Sequence, residues 1–366
     1  MTRPSEQQPQ LSAAERERII ALSKAGYRAL GDGRVANASQ YFYQILEVDP
    51  GNTYALVGLG QTELKQGNIA AALARFEQCL AADPQNFHAL KGAAECRWEQ
   101  GEYESSAELW ERCLAIKGEE PSLLTHLADA RRKTGQVERA EEVYHKALSL
   151  DPKDRYALNG LASLLYDDGR FDKAVEVWLR LRKLEPENLR TLTALGNGYR
   201  RLGEFQAAME CFEAVLARDE ANPYALYGIA DCRRGLRDPE GALEAWEQLL
   251  VLSPKDRIVL TRAGDACRSL GLLDKARSYY EEALSIGYDL FAELGMAKIE
   301  AIEGRWPEAL RRLEALRSRE PSNVRVATDL ADCYQMSGDP RAAAAVMEEF
   351  AAASERSAEA GPAAAQ

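Results

Sequence analysis

Residues 53–84 read Thr53-Tyr-Ala-Leu-Val-Gly-Leu-Gly60-Gln-Thr-Glu-Leu-Lys-Gln-Gly67-Asn-Ile-Ala-Ala-Ala72-Leu-Ala-Arg-Phe76-Glu-Gln-Cys79-Leu-Ala-Ala-Asp-Pro84. Leu56, Leu59 and Gly60, and then Ala72, Phe76 and Cys79, are spaced by three and four, so each set lies on one helical face. Gly67 supplies the left-handed backbone that ends the first helix, and Pro84 stops the second. The stretch is a helical hairpin: small residues let its two helices approach closely, and Phe76 fills the gap against the next unit.

The hairpin recurs along the whole chain. The turn residue returns as Gly33, Gly67, Gly101, Gly135, Gly169, Gly203, Arg237, Gly271, Gly304 and Gly338, spaced by 34 residues with one step of 33. Seven positions before it stands Gly or Ala every time, from Gly26 to Ala331. Five after it stands Ala, or once Ser106, and nine after it an aromatic: Phe42, Phe76, Trp110, Tyr144, Trp178, Phe212, Trp246 and Tyr280, with Leu313 and Met347 as exceptions. Pro50, Pro84, Pro152, Pro186, Pro254 and Pro321 end second helices, and Gly118 and Glu220 replace two further prolines. Ser12 and Glu15 form a capping box at the first helix, while Asp238 with Pro239 and Asp339 with Pro340 read as N-cap followed by first-turn proline.

These columns resemble the tetratricopeptide repeat family, whose unit is a helix-turn-helix of about 34 residues. The resemblance covers roughly residues 16–350. It implies an all-α, right-handed α-solenoid of ten repeats spanning 12–352, held by nearest-neighbour interfaces rather than one core. Leucines such as Leu90 and Leu158 stand where the family's first helices often carry Trp. A missing residue near 285–289 marks a candidate bend. Residues 1–11 and the Ala-rich 353–366 are expected to be disordered tails.

Composition narrows the function. Lys plus Arg is 46 against Asp plus Glu at 58, a formal charge of −12, which argues against nucleic acid as a partner. The polar N-terminal stretch has no apolar run for export, and no window suits membrane insertion, so a cytoplasmic location is expected. The seven cysteines, never closer than 17 residues, read as free thiols. His88, His126 and His145 lie in different repeats and form no zinc spacing. No nucleophile elbow or phosphate loop occurs, so neither catalysis, cofactor nor metal is expected.

What remains is a surface. The resemblance implies that first helices line a concave groove for an extended or helical partner segment. Residues there that avoid the packing columns are Arg132, Tyr156, Asn159, Tyr166, Arg190, Asn197, Arg200, Tyr224, Tyr227, Asp231, Arg234 and Arg268. Arg and Tyr are enriched where proteins meet. Arg200, with Asn197 three residues before it, is expected to keep its guanidinium free for a partner, so an acidic ligand is one option. The other reading is a solvated face, because Asp129 with Arg132, Asp231 with Arg234 and Asp265 with Arg268 have the spacing of ordinary helical ion pairs. Lys91 is followed one turn later by Glu95 instead of Asn, so the carboxylate clamp of the family's chaperone adaptors is not formed. The expected function is a non-catalytic scaffold or adaptor. The alternative is a regulatory or assembly subunit of a larger enzyme, secretion or envelope-assembly complex, and homodimerisation through the C-terminal end stays open.

Overall fold

The computed structural model describes residues 11–359, and all regular structure among them is helical. The contacts group the chain into two compact units, 1–186 and 187–366. The first holds α1 (Ala13–Gly31), α2 (Val35–Val48), α3 (Thr53–Lys65), α4 (Ile69–Ala82), α5 (Phe87–Glu99), α6 (Tyr103–Lys117), α7 (Pro121–Lys133), α8 (Val137–Leu150), α9 (Arg155–Asp167) and α10 (Phe171–Leu184). The second holds α11 (Leu189–Leu202), α12 (Phe205–Leu216), α13 (Pro223–Gly235), α14 (Pro239–Leu252), α15 (Arg257–Ser269), α16 (Leu273–Ile286), α17 (Leu290–Ile302), α18 (Trp306–Arg319), α19 (Val324–Ser337) and α20 (Pro340–Glu359). Odd-numbered helices are the first helices of the hairpins and even-numbered ones the second.

Each hairpin is closed as its sequence requires. The turn glycines have φ between 75° and 95°, and Arg237 is held in the same left-handed region at φ 60°. For a residue with a Cβ that conformation costs about 1 kcal/mol. Arg237→Gly is therefore expected to raise stability by about 0.5 kcal/mol after the extra entropy of an unfolded glycine is subtracted; a urea titration that shows a loss would contradict this. The capping box at Ser12 and Glu15 forms, and Asp238 accepts from the Gly241 amide at 2.9 Å. A second series of caps lies two residues after the prolines: Asn52, Asn86, Asp154, Asn188, Asp256 and Asn323 each accept from amides in the next first turn.

Within each unit, consecutive helices pack in sequence order, and first helices of neighbouring hairpins also touch, as α3 touches α5 and α15 touches α17. The second-helix aromatics are the centre of this packing. Phe42, Phe76 and Tyr144 in the first unit, and Phe212, Trp246 and Tyr280 in the second, are fully buried. All seven cysteines are buried and outside any disulfide, and burial pushes the thiols of Cys79, Cys96, Cys113 and Cys232 up to about 11.

Around 285–289, Gly287 is extended, Asp289 caps α17 through the Phe291 and Ala292 amides, and Arg257 donates to the Tyr288 carbonyl. The last helix continues to Glu359, through the position where the sequence suggests that the repeats end. Of the tails expected at 1–11 and 353–366, residues 353–359 belong to this helix, and 1–10 and 360–366 lie outside the described residues. Among the described residues no helix is long and apolar enough to cross a membrane.

Candidate protein-binding face

Four columns of the first helices carry the side chains that packing does not consume, at thirteen, ten, six and three positions before the turn residue. From α3 onward the thirteenth column sits in the first turn of the first helices. Tyr54, Tyr156 and Tyr224 there are 69%, 76% and 74% exposed, and Ile20, Ile258 and Phe291 are exposed as well. Arg190 shares this column and is exposed. In the tenth column Asn159 is exposed, whereas Thr125 and Thr261 are buried with their hydroxyls donating to the carbonyls of Pro121 and Arg257. Tyr227 lies edge-on to Trp246 with ring centroids 5.0 Å apart.

Of the three expected helical ion pairs, Asp231 with Arg234 and Asp265 with Arg268 form, and the aspartates of these columns also take partners from elsewhere. In the first unit, Asp129 does not form an ion pair with Arg132; it accepts the hydroxyl of Tyr144 instead. Burial pushes its carboxyl above the usual range despite that bond and the nearby Arg132 charge. Arg132 reaches across to Asp167 of the next hairpin at 3.4 Å. Tyr166 is packed among aromatics, edge-on to Phe171 at 5.1 Å and tilted against Trp178 at 5.7 Å.

In the second unit, Arg200 is not free, contrary to what its Asn197 neighbour suggests. It donates to Asp231 on the following hairpin and, at 3.4 Å, to the Asn197 side chain. Asp231 also takes Arg234 at 2.7 Å, and its side chain is only 13% exposed, so this is an inter-hairpin network and not a solvated pair. Burial would raise the Asp231 carboxyl, but the hydrogen bonds and charges of Arg234 and Arg200 outweigh it and hold the group below the usual range. Asp265 accepts from Tyr280 at 2.9 Å and stands 3.6 Å from Arg268. The rule is chemical. Where the second-helix aromatic is Tyr144 or Tyr280, its hydroxyl donates to the aspartate, with Arg262 and Arg268 also near Asp265; where it is Trp246, which has no hydroxyl, arginines alone hold the aspartate.

The face is pitted. In the second unit a cavity of about 440 Å³ is lined by Arg234, Arg237, Arg262, Arg268 and Arg325 around Trp246, with Asp265 as the single carboxylate. Arg325 on α19 and Arg234 on α13 line one cavity, so the first-helix face of this unit is concave there. Arg237, Arg262 and Arg325 are absent from the sequence-derived site. Arg262 and Arg237 had a readable signal, since each replaces glycine in a column of the repeat, and Arg325 stands thirteen before Gly338 in the column of Tyr156 and Arg190; that it meets the other arginines depends on the curvature. An adjoining cavity of about 250 Å³ shares Arg268 and is mainly apolar, with Ala297, Ala301, Ile302, Leu313 and Met336 in its walls. The first unit has a cavity of about 220 Å³ of opposite character, where Trp98 and Trp110 meet Glu95, Glu99 and Asp129. His126 stacks on Trp110 there at 4.7 Å, and burial lowers its pKa.

Three family models, each described as "Tetratricopeptide repeat", match the chain at residues 88–255, at 29–75 with 301–366, and at 233–289. No curated protein matches it. Among solved structures, the C-terminal part of a tetratricopeptide repeat-containing protein from Cytophaga hutchinsonii is similar at 18% identity and a TM-score of 0.57, covering 65% of this chain and 98% of its own. A tetratricopeptide repeat protein from Parabacteroides merdae is similar at 18% identity and a TM-score of 0.52, covering 68% and 99%. With the turn, small-residue and aromatic columns seated as described and these matches along its length, the chain belongs to the tetratricopeptide repeat family, its twenty described helices making about ten repeats.

Proposed function

We propose that the protein is a non-catalytic scaffold that holds a segment of another protein against the faces formed by its first helices. Tetratricopeptide repeats are in general protein–protein interaction domains, and the reading for this chain rests on one observation: the exposed column of Tyr54, Tyr156 and Tyr224. Most large side chains of the neighbouring columns are packed or held in ion pairs and hydrogen bonds, within a helix or between hairpins. These tyrosines leave most of their ring in water, with nothing for the fold to gain. Tyr offers a large, rigid contact area with a polar tip, the kind of side chain that dominates binding energy at interfaces.

The test is site-specific photocrosslinking. p-Benzoylphenylalanine in place of Tyr156 or Tyr224 is expected to give a discrete adduct with a partner in cell extract, while the same label at Val251, 81% exposed on a second helix, gives none. The same adduct from Val251, or none from either tyrosine position, would show the reading to be wrong.

A further inference from the structure

The arginines of the second unit outnumber the carboxylates that face them. Arg234 shares Asp231 with Arg200. Arg262 and Arg268 share Asp265, at 4.0 and 3.6 Å, and that carboxylate already takes the Tyr280 hydroxyl. Arg237 and Arg325 have no carboxylate within ion-pair distance among the described residues; Arg325 lies over the Phe291 ring at 5.4 Å. Five guanidinium groups thus converge on one cavity of about 440 Å³ in a chain whose net charge is −12. Spread over a solvated surface, such charges would pair with the abundant acid. Gathered around one concavity with a Trp246 wall, Arg262 and Arg268 half-buried and Arg234, Arg237 and Arg325 exposed at its rim, they create a local positive field.

The next cavity along continues the same face, since Arg268 lines both. Lys298 stands 2.9 Å from Asp329 in its wall, and a second carboxylate, Asp332, lines the cavity without an ion pair among the described residues. Its distinctive side chains are Ile302 and Met336, both exposed. Met adapts its shape to an incoming apolar group.

We propose that this face binds an acidic protein segment in which adjacent carboxylates are followed by a large apolar side chain. The carboxylates occupy the arginine cavity in forked contacts with Arg262, Arg268 and Arg325, and the apolar side chain rests on Ile302 and Met336. The proposal rests on the scaffold reading above and names the partner chemistry for the second unit.

The probe is a fluorescein-labelled peptide of three glutamates followed by leucine and phenylalanine, titrated into the full chain with fluorescence anisotropy. Binding is expected to weaken steeply between low and high salt and to fall about 30-fold or more in Arg262→Glu with Arg325→Glu. The double variant Lys255→Glu with Arg341→Glu, with the same charge change away from the cavity, should bind like the parent. Ile302→Ser with Met336→Ser should remove the preference for the apolar end while leaving salt dependence intact. If charge reversal unfolds the protein, judged by circular dichroism, Arg262→Gln with Arg325→Gln replaces it and should still cost about 10-fold. Equal binding of a glutamine-for-glutamate peptide, or unchanged binding by the arginine variants, overturns the proposal. Pyrophosphate binding that the peptide cannot displace also overturns it, by making the cavity a site for small polyanions. Crosslinks at Tyr224 without peptide binding would refute this ligand chemistry alone, whereas loss of the crosslinks refutes the scaffold reading itself.

Discussion

Gly228→Ala is expected to destabilise the protein by about 3 kcal/mol, although alanine is the better helix former. A Gly→Ala change inside an exposed helix gains about 1 kcal/mol from propensity alone. At Gly228 the added Cβ would sit under 3.0 Å from three carbons of the Phe212 ring. Phe212 cannot yield outward, because it is fully buried and its other edge lies against Gly196, where a Cβ would stand 2.6 Å away. The ring is held between two glycines, one from its own hairpin and one from the next. Overpacking of this kind costs about 1–3 kcal/mol and more when nothing can relax, so it outweighs propensity. The same vice closes on Phe42, Phe76 and Tyr280, with Gly58, Gly92 and Gly295 on the following hairpins.

The repeat also shows how to open the vice. Where the aromatic is Trp110 or Trp246, the flanking positions are Ala94 and His126, or Ala230 and Arg262, and glycine is absent from both. The triple variant Gly196→Ala, Phe212→Trp and Gly228→Ala is accordingly expected to recover most of the loss seen with Gly228→Ala. Urea titrations of the parent, single and triple variants decide the matter. A single variant as stable as the parent, or a triple variant no better than the single, would mean that the aromatic and its flanking small residues are not matched.

This matching was present in the sequence. Five glycines, Gly58, Gly92, Gly160, Gly228 and Gly295, occupy the column nine before the turn, each in the hairpin after a Phe or Tyr. The turn, small-residue and aromatic columns that decide the fold are equally legible, because each position does the same packing job in every repeat. The charged columns are not legible that way. Asp129 and Asp231 stand at the same place in their repeats with an arginine three residues on, and helical spacing assigns both the same pair. Which partner each takes depends on contacts that sequence spacing does not encode: the Tyr144 hydroxyl from the second helix, or Arg200 from a hairpin 31 residues away. Arg325 joins the arginine cavity for a similar reason, since only the curvature of the second unit brings α19 towards α13 and α15.

The two aspartates should therefore answer the same substitution in opposite ways. Asp231→Asn removes the one carboxylate shared by Arg200 and Arg234 and is expected to cost about 2 kcal/mol at neutral pH. Most of that falls on Arg200, whose side chain is the less exposed of the two. Asp231 is held below the usual range in the folded state, so its contribution is fully present above the unfolded value and is lost as pH falls through the folded one. The gap between parent and variant should close on acidification. Asp129 has the reverse sign, since burial raises its carboxyl in the folded state. Its ionised form weighs against folding once pH rises through that folded value, while at lower pH, where it is protonated in both states, the penalty disappears. Asp129→Asn keeps an acceptor for the Tyr144 hydroxyl and sheds the buried charge, so at neutral pH it should be neutral to stabilising, by up to about 1 kcal/mol. Urea titrations of both variants from neutral pH to below 4 make the comparison. Equal and like-signed effects at the two positions would show that the aspartates are interchangeable surface charges, and that the identity of the second-helix aromatic does not govern their partners.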